Sequence, residues 1–90
     1  MNRYRTTMWE AVAAEGQFSQ LLEWATDVAV PDLVATDPGY AVQIYYSADN
    51  RVVITAVGST DAPVVPELPG WLSQRTPHQW HFERLQREFP

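Results

Sequence analysis

The segment Thr76–Phe89, TPHQWHFERLQREF, decides the fold because it supports two readings. Thr76 as an N-cap, Pro77 at the first helical position and Gln79 three residues after the cap would open a helix. The alternation of Trp80 and Phe82 against His81 and Glu83 would instead make a strand. The preceding chain favours the strand. A strand, a helix and a hairpin leave the first strand beside the third with an unpaired edge, and a fourth strand would cover it. The connector from Gly58 to Pro77, at about 3.3 Å per residue, is long enough to cross back over the sheet. On this reading Gln79–Leu85 is the strand, Trp80 and Phe82 share a buried face, and His78 lies just ahead of it.

The three earlier elements follow from spacing. Tyr4–Ala13 alternates, with Tyr4, Thr6, Met8, Glu10 and Val12 on one side and Arg5, Thr7, Trp9 and Ala11 on the other. Apolar groups on both sides predict a strand with two partly covered faces. From Gln17 the apolar residues Phe18, Leu21, Leu22, Ala25, Val28 and Ala29 recur at helical steps, which predicts an amphipathic helix. Pro31 should end it near Val30, with at most a turn of helix at Asp32–Ala35. Tyr40–Ser47 and Arg51–Val57 read as a hairpin joined by Ala48, Asp49 and Asn50. Tyr40, Val42, Ile44 and Tyr46 share one face of it with Val52, Ile54 and Ala56, while Val53 and Val57 make the other side partly apolar. The stretch from Ser59 to Pro77 holds four prolines, leaving room only for a short second helix or turn around Trp71–Gln74.

Ninety residues make one domain, 1–90, and a chain this short buries only about 60–65% of its unfolded surface, so association with a second copy would help it. There is no cysteine, which excludes disulfides, thiolate metal sites and cysteine nucleophiles. The formal net charge is −5 and all six basic residues are scattered arginines, so nucleic acid and anionic membranes are poor partners. A homodimer and an apolar or aromatic small molecule are the better ones. Without an apolar export core or a long apolar span, the chain reads as soluble and cytoplasmic.

His78 and His81 are the candidate catalytic residues. In a strand their spacing sends them to opposite faces, so they cannot share a metal. Zn²⁺ needs three or four ligands, and two histidines without cysteine do not supply them, so neither a metal nor a cofactor is expected. Trp9, Trp24, Tyr46 and Trp71 are the candidate substrate-binding residues. Trp71, beside Gly70 in an irregular segment, could serve as a lid or as a loop anchor. Arg5 and Glu10 read as rim charges.

The order of a first strand, a helix introduced by AAEGQFSQLLEW, the hairpin YAVQIYYSADNRVVITAVG and a late aromatic strand resembles the antibiotic biosynthesis monooxygenase-like group of the dimeric α+β barrel superfamily. The resemblance covers Tyr4–Val57 and Gln79–Leu85. It implies an α+β, ferredoxin-like antiparallel sheet with one main helix, whose open face packs on that of a second copy to form a dimeric barrel. It also implies a pocket between sheet and helices. Members include cofactor-independent oxygenases of aromatic polyketides, haem-degrading enzymes and proteins without known activity. The chain departs from the group in lacking a substantial second helix. The haem-degrading pattern of an asparagine on the first strand, a tryptophan and a later histidine is matched only loosely, since Asn2 precedes the strand and Trp71 and His78 are only seven residues apart, which leaves haem binding or degradation as a less favoured class beside the two below.

Two function classes follow. One is a cofactor-independent monooxygenase-like enzyme, in which an ionised aromatic substrate itself reacts with dioxygen; His78 or His81 takes the proton, Tyr46 donates a hydrogen bond and Trp71 forms a wall. The other is a non-catalytic binding or accessory dimer with the same fold.

Overall fold

The computed structural model describes residues 4–58 and 63–85. Four strands, β1 (Tyr4–Val12), β2 (Ala41–Tyr46), β3 (Arg51–Gly58) and β4 (His78–Arg84), form one sheet in the order β2-β3-β1-β4. Every neighbouring pair is antiparallel. This is the ferredoxin-like α+β arrangement, and the final segment is a strand from His78 to Arg84. Its residues 86–89 lie outside the described part of the chain.

One helical rod covers one face of the sheet. It consists of α1 (Phe18–Trp24), a π-helical turn (Ala25–Ala29) and α2 (Val30–Thr36). The expected stop at Val30 does not occur. The Val30 N–H bonds five residues back to the Ala25 carbonyl, and Pro31 falls in the first turn of the resumed helix. A missing N–H costs least there, so the proline is tolerated. The rod ends at Asp37, whose side-chain Oδ1 accepts from the Gly39 N–H at 2.8 Å and turns the chain into β2.

The core lies between rod and sheet. Leu21, Trp24, Ala25, Ala29 and Leu33 meet Trp9, Ala11, Val52, Ile54 and Ala56, all buried. The small residues Ala11, Ala25, Ala29 and Ala56 let the two layers approach closely. Gly58 is required at the end of β3, since a Cβ there would stand 2.3 Å from the Tyr40 ring. At the other end of the hairpin Asn50 takes the left-handed conformation, φ 65°, that the turn into β3 needs.

Among the described residues no regular second helix follows β3. The chain from Pro63 to Leu68 runs across β1 and β4 on the rod's side, with Pro63, Val65 and Leu68 buried. Its hydrogen bonds are made to sheet side chains: the Thr7 hydroxyl donates to the Pro63 carbonyl, and the Val65 N–H donates to Gln79 Oε1 at 3.0 Å. A short 3₁₀ turn, Gly70–Leu72, follows. Ser73 then pairs with Ala13, and the Gln74 N–H reaches the Val12 carbonyl. From Ser73 to His78 this edge advances further than β1 does from Ala13 to Glu10. The surplus is a bulge at Arg75–Pro77, where proline's missing donor interrupts no ladder.

The expected burial of Trp80 and Phe82 is corrected by the register. They share a face, but Trp9 pairs with Gln79 and Thr7 with His81, so Gln79, His81 and Glu83 occupy the rod's side. Trp80 and Phe82 stand on the open face, 41% and 52% exposed. With them are Met8, Val53, Val57 and Tyr45. Glu10 is on this face too, and it is no simple rim charge. Only 17% of its side chain is exposed, and Arg75 at 3.4 Å and Arg51 at 3.7 Å bracket the carboxylate.

Candidate functional site

The tryptophans organise the rod's side of the sheet. Trp9 projects from β1 because the alternation that places Thr7 and Ala11 on this face places it there as well. The helical spacing of Leu21, Trp24 and Ala25 brings Trp24 down onto it, with ring centroids 5.6 Å apart and the planes tilted by 34°. The connector passes beside this pair and leaves two cavities that share no lining residue.

The larger cavity, about 480 Å³, has Trp9 as its floor and the connector as its wall. Val65 and Leu68 supply apolar lining, while Glu67, Ser73, Arg75 and Gln79 supply polar groups. Gln79 is held in place by the bond its Oε1 accepts from Val65. Trp9, Val65 and Leu68 are almost wholly buried, so the surface the cavity presents is largely polar; its volume falls within the range of about 300–1,000 Å³ for small-molecule sites.

The smaller cavity, about 290 Å³, lies between the rod and the 3₁₀ turn, with Trp24 and Leu72 inside and Trp71 at its mouth. Trp71 is 64% exposed, so it stands as a wall and its ring is not anchored in the core.

The other candidates are dispersed. Tyr46 is on the rod's side but at the far edge of the sheet, where its ring meets Phe18 edge-on at 6.1 Å; it is 67% exposed. His78 is the first residue of β4, on the open face, stacked edge-on against Trp80 at 5.6 Å. His81 is on the opposite face, as the spacing requires. Neither histidine lines either cavity. Among the described residues no group of three or more His, Cys, Asp or Glu could hold a metal ion.

His81 is nevertheless oriented. Its Nδ1 lies 3.0 Å from the hydroxyl of the fully buried Thr7. Thr7 spends its only proton on the Pro63 carbonyl, which can only accept. With that proton committed, the histidine donates from Nδ1, and in the neutral ring this puts the lone pair on Nε2. That tautomer suits a base, and the orienting group is a neutral hydroxyl. Sequence reading did not find Thr7, because a threonine in a strand is unremarkable until its partners are known. Gln79, Arg75 and Glu67 were missed because the bulge and the connector's path bring them to the cavity.

No helix among the described residues is long and apolar enough to cross a membrane. Compared with protein-family models, with curated proteins and with solved structures, the chain finds no significant match.

Proposed function

We propose that this chain is a cytoplasmic small-molecule-binding protein of the dimeric α+β barrel type, which holds a planar aromatic ligand over Trp9 and pairs with a second copy through its open sheet face. The observation that carries the binding reading is the cavity of about 480 Å³ that reaches Trp9 and is lined by polar groups, of which Gln79 is held by Val65. A flat ring lies over the Trp9 side of this cavity and meets the polar groups of Gln79 and Glu67. The open face supports the dimer. Met8, Tyr45, Trp80 and Phe82 leave 38%, 52%, 41% and 52% of their surface in water there, an apolar patch that an isologous contact would cover.

A second reading is an enzyme of the monooxygenase-like kind, favoured by the fixed tautomer of His81. The dispersal of the histidines away from the cavities makes binding without turnover the better reading. Titration with a hydroxylated anthrone, followed by tryptophan fluorescence and by an oxygen electrode, separates the two. Saturable quenching without oxygen uptake supports binding. Uptake that disappears in His81→Gln supports the enzyme, and absence of quenching refutes an aromatic ligand at Trp9.

A further inference from the structure

The smaller cavity has a chemistry of its own. The rod presents Gln20, Glu23, Trp24, Asp27 and Val28 to it, positions that share one side of a helix. Facing them is Trp71, a large indole left 64% exposed on a three-residue turn. Asp27 and Val28 belong to the π-helical turn, whose widened geometry is costly and recurs at functional sites. Neither Glu23 nor Asp27 has an ion-pair partner among the described residues. The chain has no lysine, its net charge is −5, and among the described residues no arginine lines this cavity, so its described rim is negative.

We propose that this cleft binds a small organic ammonium cation, with the alkyl groups against Trp24, Trp71 and Leu72 and the charge held by Glu23 and Asp27. Aromatic faces attract such cations through their quadrupole, and alkylated ammonium groups suit them because they carry little tightly held water. At about 290 Å³ the cavity lies at the small end of ligand pockets, which limits the occupant to a compact molecule. A neutral ligand of the same shape would gain the apolar contacts alone. The inference goes beyond aromatic binding over Trp9 and is independent of it, since the two cavities have no residue in common.

The test is a titration of the ¹⁵N-labelled protein with choline and, separately, with its uncharged carbon analogue 3,3-dimethylbutanol, reading the indole N–H resonances. Choline should move the Trp24 and Trp71 signals in a saturable way, and the neutral analogue should bind about tenfold more weakly. Trp71→Ala should weaken choline binding about tenfold. The double variant Glu23→Gln, Asp27→Asn should remove the preference for the cation while leaving the weak neutral binding in place. All three positions are on the surface or near it, and a dispersed spectrum confirms that each variant folds. If Trp71→Ala does not fold, the carboxamide variant decides alone. Equal affinity for the two probes, choline binding unchanged by the substitutions, or no choline response would overturn the proposal. A response to choline with no response to the anthrone would refute aromatic binding at Trp9 and leave this site standing.

Discussion

The two faces of the sheet are built from the same strands and nearly the same residue types, yet only one is covered. On the rod's side Thr7, Trp9, Val52, Ile54 and Ala56 are buried by a helix and a connector. On the open side Met8, Val53, Val57, Tyr45, Trp80 and Phe82 are apolar too, but among the described residues no layer lies above them. The difference teaches where stability resides in one copy of the chain, and where it would have to come from association. A residue on the first face contributes at any protein concentration. One on the second contributes fully only when something covers it.

The largest effect expected is on the covered face. Trp9→Ala removes the floor of the larger cavity and the contact with Trp24, and should cost about 3–5 kcal/mol in urea unfolding. A loss below about 1 kcal/mol would mean that the rod does not pack as described. Next comes Thr7→Val, which keeps the shape but strips the Pro63 carbonyl of its donor and His81 of its acceptor. It should cost about 1–3 kcal/mol. In the same variant the His81 ring should lose its single tautomer, visible in its ¹⁵N shifts, whereas His78 should not change.

The open face answers differently. Phe82→Ala should cost about 1 kcal/mol or less in dilute protein, and the cost should grow as the concentration rises and wild type dimerises. Phe82→Glu should shift sedimentation equilibrium toward the monomer, since a buried interface would have to desolvate the carboxylate. A wild-type monomer at every accessible concentration breaks the comparison, leaving the apolar face without a second copy to explain it.

Much of this contrast was legible from residue spacing. Alternation assigns Met8 and Trp9 to different faces, pairs Trp80 with Phe82 and separates His78 from His81. Spacing alone cannot say which face a rod will cover; that depends on register, here Trp9 opposite Gln79. Pro31 misled for a related reason, because its usual effect assumes an unbroken α ladder and the π turn changes the hydrogen-bond phase just before it. At the candidate site, Trp24 and Trp71 do line one cavity and Trp9 lies behind Trp24. Tyr46 lies apart because β2 is the far edge strand. The connector's contribution was illegible, since an irregular chain rich in proline carries no period from which its inward residues could be read.

The smallest expected effect lies off both faces, in the hairpin between β2 and β3. The Ser47 hydroxyl donates to Asp49 Oδ1 and holds that carboxyl below its ordinary value of 3.8; desolvation works against the shift, and Arg51, 3.5 Å away, adds to it. Since the folded turn gives up its proton more readily than the unfolded chain, the unfolded state binds more protons between the two pKa values. The contribution is therefore complete above 3.8 and is lost as pH falls through the lower folded value. Because the carboxyl is fully in water, it should be visible in its own titration before it is visible in overall stability. Ser47→Ala should raise the Asp49 pKa toward 3.8, measured from its ¹³C carboxyl shift. An unchanged titration would remove the hydroxyl as the cause. Arg51 also reaches Glu10 on the open face, so this guanidinium is shared between the turn and the sheet. Asp49 should titrate alike in dilute and concentrated protein, because its hydroxyl partner Ser47 belongs to the same turn. An Asp49 titration that moves with protein concentration would mean that the turn, and not the open face alone, takes part in association.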